Sequence, residues 1–152
     1  MELHDELLAL SEELSSSANQ AGIRRSISTA YYALFHKLIH DASLLFFPDP
    51  LDAPMRAATA RAMAHDTMKQ VAQGFCGMGT HKQIVKDLLA DREPSSELKT
   101  LSKAFVRLQE ARHQADYDAA VTFTQNDAVL RIKDAPGVST FSCRCCRCHV
   151  AF

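Results

Sequence analysis

The chain has 152 residues, of which 47% are hydrophobic, 23% are charged and 7% are aromatic, and 17 basic against 18 acidic residues give a formal charge of −1. This length suits one domain with or without a tail, and the hydrophobic content excludes a wholly disordered chain. The balanced charge removes overall basicity as an argument for nucleic-acid binding. Residues 1–20 nevertheless hold five acids and no Lys or Arg, which leaves 17 basic against 13 acidic residues in the remainder.

Apolar residues spaced by three and four predict helices along most of the chain. The first covers about residues 2–17 and the second about 20–46. The second is apolar over much of its circumference, so it is either central in the fold or packed against a second subunit. Three prolines within 48–54 predict a loop. Further helices are expected at about 54–74, 80–91, from Ser95 to about 116, and at 125–135. The fold class is therefore all-α, an antiparallel up-down bundle of four to five main helices within residues 1–135.

The sequence also excludes several classes of protein. No run approaches the ~18 apolar residues of a membrane span, and the acidic start is unlike a secretory signal, so we expect a cytoplasmic protein without membrane contact. Four of the five cysteines fall within 143–148, which is not the spread of a disulfide framework. They also lack a second, separated ligand pair for zinc, so we predict no metal site, the alternative being a soft-metal cluster or adventitious binding. We expect no cofactor. The Cys-rich tail, 136–152, is expected to be disordered.

Arg112 is the first candidate functional residue. An apolar stripe of Leu98, Leu101, Phe105 and Leu108 continues at Arg112 with the same steps of three and four. A buried guanidinium needs an anion or several acceptors, which favours a polyanion site. The alternative is structural: the stem covers the core while the charged group reaches water or pairs with Asp116 one turn later.

Other polar residues favour ordinary structural roles. Arg24 and Arg25 open the second helix, where one is expected in solvent and the other can pair with the acidic first helix or hold a phosphate. His36 and His40 stand four residues apart, a spacing that can hold a metal, but no third ligand is evident and a polar helix face is the simpler interpretation.

Two segments resemble the signatures of HEPN domains. Residues 30–36 contain an AYYA-x-FH core, and residues 112–118 an R-x-x-ADYD segment. Residues 123–128 are similar to the FT-x-x-x-A opening of the last helix, and His65 falls where many members carry a His after the proline loop. The resemblance covers about 20–135. It implies a homodimer with a polar cleft at the subunit interface, binding to RNA or a nucleotide, and a toxin–antitoxin or defence pair with a nucleotidyltransferase antitoxin.

The resemblance also implies a catalytic pattern that this chain matches only in part. Many members are metal-independent endoribonucleases that use an Arg followed, after four to six residues, by a His. Arg112 matches the Arg, whereas 117–119 hold Tyr117, Asp118 and Ala119. A tyrosine phenol is a poor base near neutral pH, so we expect ribonuclease activity to be weak or absent.

The site residues follow from this comparison. The catalytic candidates are Arg112, Tyr117 and His113. The candidates for binding RNA or a nucleotide are Arg112, Arg25, Tyr32, His36 and Asp116. The alternative function is a non-enzymatic helical module for protein–protein interaction.

Overall fold

The computed structural model describes residues 2–90 and 92–135, and every regular element in these ranges is a helix. The elements in chain order are α1 (Leu3–Ser15), α2 (Gln20–Phe46), a 3₁₀ turn (Pro50–Asp52), α3 (Ala53–Ala62), α4 (His65–Phe75), α5 (Lys82–Leu88), α6 (Ser96–Tyr117) and α7 (Gln125–Lys133). No strand occurs within those two ranges, which confirms the all-α prediction. None of the described helices is long and apolar enough to cross a bilayer. The predicted Cys-rich tail, 136–152, lies outside the described residues.

Helix α2 is the centre of the molecule and packs against α1, α3, α6 and α7. Its residues Ile27, Ala30, Tyr31 and Leu34 are fully buried. The wide apolar surface predicted for this helix is therefore covered mostly by other helices of the same chain. Only its C-terminal end, Leu44–Phe46, leaves large apolar side chains in solvent.

Small polar side chains bring α1 and α2 close together. The Ser11 hydroxyl donates to the Ser26 carbonyl at 2.8 Å, and the Ser26 hydroxyl donates to the Ser11 carbonyl at 2.7 Å. Both serines are fully buried, so this reciprocal pair satisfies groups that water cannot reach.

The single helix predicted at 54–74 is wrong, because the chain breaks between α3 and α4. Met63 and Ala64 both take extended backbone angles, with ψ of 119° and 140°. Neither Gly nor Pro marks this break, and the predicted helix therefore ran through it. The break matters because it makes His65 the first residue of α4, where its ring turns toward α2.

The segment between α6 and α7 is held by two polar side chains of α2. Arg24 donates from Nη1 to the Ala115 carbonyl at 2.8 Å, and from Nη2 to the carbonyls of Asp118, at 2.9 Å, and Val121. Gln20 donates to the Phe123 carbonyl at 2.6 Å and accepts from the Phe123 N–H at 3.0 Å. These bonds fix the C-terminal end of α6, where the candidate residues lie.

Candidate functional site

Arg112 lies on α6 and faces Tyr32 on the antiparallel α2. Its Nη2 donates to the Tyr32 hydroxyl at 2.9 Å, and its Nε lies 2.8 Å from a carboxylate oxygen of Asp116. Nε is buried and not aligned for a hydrogen bond, so the Asp116 contact is an ion pair only. Nη1 has no partner among the described residues. The Arg112 side chain is 20% exposed. Tyr32 and Asp116 therefore hold Nη2 and Nε in place, while the guanidinium stays open on the side of Nη1.

Three tyrosine rings surround this guanidinium. Its Cζ lies 6.0 Å from the ring centroid of Tyr31 and 5.5 Å from those of Tyr32 and Tyr117. Such cation–π contacts hold the charged group against the aromatic faces. Tyr117 is 66% exposed, and the His113 ring lies 5.1 Å from it. The rim of the site is therefore aromatic.

His65 joins the site from the start of α4. Its Nδ1 lies 2.6 Å from the buried Tyr31 hydroxyl, and its ring stacks on Phe35 with centroids 3.8 Å apart. The Tyr32 ring meets it edge-on at 5.8 Å. Burial, and after it the positive charge of Arg112, lower the pKa of His65, which keeps the imidazole neutral near neutral pH. Burial likewise raises the pKa of Tyr31, so its phenol stays protonated.

Sequence reasoning did not include His65 among the site residues. The one signal was its place after the proline loop in the HEPN resemblance. No helical spacing connects it to Arg112 or Tyr32, because the three residues belong to different helices.

The two arginines of the second helix have different environments. Arg25 is exposed and has no hydrogen bond or ion pair with a described residue, which agrees with the solvent position expected for one of the two. It lies seven residues before Tyr32, 20° short of two full helical turns, and so on the same side of α2. Arg24 pairs with carbonyls of the α6–α7 connection rather than with acids of α1.

His36 lies one turn beyond Tyr32, outside direct contact with Arg112. Its ring meets Phe35 at 5.5 Å, and it lines a separate cavity of about 270 Å³ together with His4 and His40. Burial, followed by the charge of His4, lowers its pKa. Of the predicted residues, the structure therefore brings together Arg112, Tyr32, Asp116 and Tyr117, with His113 at the rim. Arg25 and His36 are not in contact with this cluster.

Two cavities help to locate a ligand. One of about 310 Å³ borders Asp116 and Tyr117 and reaches Arg24 and Gln20. A larger one of about 450 Å³ lies between α2, α4 and α6 and is almost wholly apolar, and none of its lining residues belongs to the Arg112 cluster. Of these two cavities, only the smaller one borders residues of the Arg112 cluster. Within residues 2–90 and 92–135, no three His, Cys, Asp or Glu side chains are arranged to hold a metal ion.

Comparisons of this chain with protein-family models, with curated proteins and with solved structures find no match. The chemistry of the site residues is therefore the basis for assigning a function.

Proposed function

We propose that this protein is a HEPN-like RNA- or nucleotide-binding protein, in which Arg112 contacts a phosphate of the ligand and the exposed Tyr117 ring stacks on a base. The supporting observation is the unpartnered Nη1 of a guanidinium that Tyr32 and Asp116 hold in place. Arginine suits phosphate oxygens because its N–H groups form a planar fork. Aromatic side chains beside such a group are typical of sites for unpaired bases.

The structural alternative for Arg112 explains only part of these contacts. The pair with Asp116 is present, as that alternative expects. An i,i+4 ion pair near the surface contributes only a few tenths of a kcal/mol. The ion pair with Asp116 explains neither the hydrogen bond from Arg112 to the Tyr32 hydroxyl nor why Nη1 has no partner among the described residues. A group that only covered the core would not need to be fixed from two helices.

With this site, we expect the protein to cleave RNA weakly or not at all. Cleavage through a cyclic phosphate needs a base for the 2′-hydroxyl proton and a positive group at the phosphorus. Arg112 is suited to the second role. His113 contacts the exposed ring of Tyr117 rather than Arg112. A tyrosine phenol is in general a poor base near neutral pH, so neither candidate replaces the missing His well.

We further propose that the protein is the toxin-like member of a pair with a nucleotidyltransferase antitoxin, and that it forms a homodimer. Exposed apolar side chains at the end of α2 and in the adjoining turn, including Phe46 and Leu51, support a surface for a partner. Phe46 stands 14 residues from Tyr32, about 21 Å along the helix axis. This surface is therefore separate from the Arg112 cluster, unlike the polar cleft at the subunit interface that the HEPN resemblance implies.

The test is binding of a short single-stranded RNA, by fluorescence anisotropy, and of ATP, by calorimetry, without metal. We expect Arg112→Ala to weaken binding about tenfold or more, because the loss of a charged contact to phosphate costs roughly 1.5–3 kcal/mol. Arg112→Lys is expected to recover part of the affinity, since it keeps the charge without the fork. RNA affinity should fall with added salt, with a smaller slope in the alanine variant.

Arg107→Ala is the matched control, because Arg107 lies on the same helix and pairs with Asp134 at 2.6 Å. It should leave binding unchanged. Melting temperatures of all three variants separate lost binding from lost folding. Unchanged affinity in a folded Arg112→Ala protein would contradict the proposal and favour the non-enzymatic interaction module, for which the apolar end of α2 is the candidate surface.

A further inference from the structure

We propose that His65 is a second ligand-binding residue of this site, a neutral imidazole that donates its Nε2–H to phosphate oxygens of the ligand held by Arg112. This inference rests on the proposed phosphate-binding function and extends it to a residue on α4. It also assigns Tyr31 as the positioning residue that sets the proton of that imidazole.

The Tyr31 hydroxyl determines which ring nitrogen carries the proton. Tyr31 is fully buried, and among the described residues its only hydrogen-bond partner is His65 Nδ1 at 2.6 Å. A buried O–H needs an acceptor, because leaving it without one costs roughly 1–3 kcal/mol. If Nδ1 carried the proton, the phenolic hydrogen would have no acceptor. Nδ1 therefore accepts from Tyr31, and in a neutral ring the proton then lies on Nε2.

The position of the ring leaves Nε2 accessible. His65 is held flat against Phe35, with 22° between the ring planes, and its Nδ1 faces the buried phenol. Nε2 lies across the ring from that contact. Nε2 has no hydrogen-bond partner among the described residues, and it is not fully buried. This places Nε2 where water or a ligand oxygen reaches it.

Tyr32 connects this imidazole with Arg112. The His65 ring lies 5.8 Å from the Tyr32 ring, and the Arg112 Cζ lies 5.5 Å from the same ring. The two donors therefore flank one aromatic side chain. A neutral imidazole avoids the repulsion that a second cation beside Arg112 would cause, while it still supplies a directed N–H to a phosphate oxygen.

This assignment has a chemical consequence. An imidazole with Nε2 protonated and Nδ1 occupied has no free lone pair for a proton from a ribose hydroxyl. His65 is therefore a binding group rather than a substitute for the missing catalytic His, and it gives no reason to expect cleavage.

The proton position is measurable without a ligand. Long-range ¹H–¹⁵N correlation spectra of the full chain at pH 7.5 should show His65 with Nε2 protonated. Tyr31→Phe removes only the hydroxyl, and it should move the ring toward a mixture of tautomers. A wild-type ring protonated on Nδ1 would overturn the inference.

Binding provides the second measurement, with single-stranded RNA, ATP and inorganic phosphate as separate probes. His65→Leu should weaken binding about fivefold, the effect of roughly one hydrogen bond. His65→Gln should retain more affinity because its amide keeps an N–H donor, and Tyr31→Phe should weaken binding without touching the ligand. His81→Gln, on the remote α5 end, should have no effect.

The outcomes distinguish this inference from the function on which it rests. Weaker binding by Arg112→Ala together with normal binding by a folded His65→Leu protein would refute the role of His65 alone. Normal binding by both variants would refute the phosphate site itself. If the His65→Leu protein is unstable, ligand binding by His65→Gln and Tyr31→Phe is compared with binding by Arg112→Ala instead. Equal losses in RNA, ATP and phosphate binding would support a contact from His65 to phosphate, whereas a loss for RNA alone would contradict it and indicate a contact to a sugar or a base.

Discussion

At the scale of residues, Arg112 continues a run of core positions on α6, yet its guanidinium ends beside solvent. Tyr32 and Asp116 hold two of its nitrogens, and the third stays open. The position of Arg112 on the apolar stripe was visible in the sequence, and so was the pair with Asp116. The contact between the rings of His65 and Tyr32 was not visible in the sequence, because His65 belongs to another helix.

Tyr117→His tests the missing catalytic His. The substitution recreates the Arg-to-His spacing of HEPN domains, and residue 117 already lies against the Arg112 guanidinium. We expect RNA cleavage to rise above the wild-type level and to give 2′,3′-cyclic phosphate ends in the absence of metal. Tyr117→Phe is the control and should not cleave. Strong cleavage by the wild-type protein would show instead that another side chain already acts as the base.

Stability should fall as the pH is lowered from neutrality. Burial is the main cause that lowers the pKa of His4, His36 and His65 below the usual value of 6.5. Below about pH 6.5 the unfolded chain binds protons that the folded chain resists, so the free energy of unfolding decreases until the folded pKa is passed. For His65, Arg112 and His36 add to this effect and Asp66 opposes it.

Urea unfolding at pH 7.5 and pH 5.5 measures this dependence. His65→Gln should show a smaller difference between the two pH values than the wild type. An equal or larger difference would mean that His65 does not resist protonation in the folded state.

At the scale of elements, the ends of helices decide where the site residues lie. The break after α3 sets His65 at the start of α4, and Arg24 with Gln20 fixes the chain that follows α6. The side chains of Ser95 and Thr124 cap α6 and α7 by accepting from the Leu98 and Asp127 amides. Caps of this kind are local, because the cap and its amide lie three residues apart.

Arg24→Met should loosen the connection between α6 and α7. The substitution keeps an apolar stem but removes three hydrogen bonds to carbonyls and the contact with the Phe123 ring. We expect the free energy of unfolding to fall by about 2 kcal/mol, since charged hydrogen bonds contribute roughly 1.5–3 kcal/mol each and water replaces part of them. Urea denaturation measures it, and Arg25→Met, at an exposed neighbour, is the control. Equal stability of the two variants would show that Arg24 does not stabilise the connection between α6 and α7.

At the scale of the whole molecule, one long helix organises the core and leaves one of its ends uncovered. Helices α1, α3, α6 and α7 pack around α2, and the buried side chains form two clusters that both include residues of α2. The exposed end of α2 is apolar without being covered by a described element. Such a surface is typical of a contact with another protein.

A homodimer through the end of α2 should be visible by light scattering. We expect twice the mass of the chain at micromolar concentration, and a monomer for Phe46→Ser, because Phe46 is 65% exposed at that end. Leu130→Ser, which removes an exposed apolar side chain on α7, is the control and should remain dimeric. A wild-type monomer at all micromolar concentrations would contradict the homodimer. A dimer unaffected by Phe46→Ser would place the interface elsewhere.

The sequence alone determined the helical class, most helix ends and the place of Arg112, because the 3.6-residue period and the caps involve neighbours in the chain. The tertiary structure alone decided that α2 is covered within its own chain and that the helix at 54–74 is broken. It likewise decided that Arg24 holds the connection between α6 and α7. It also decided that His65 reaches Tyr31, 34 positions away, whereas Arg24 reaches the Asp118 carbonyl across 94. Contacts over such separations depend on how helices cross and on which faces they bury, and no local spacing encodes them.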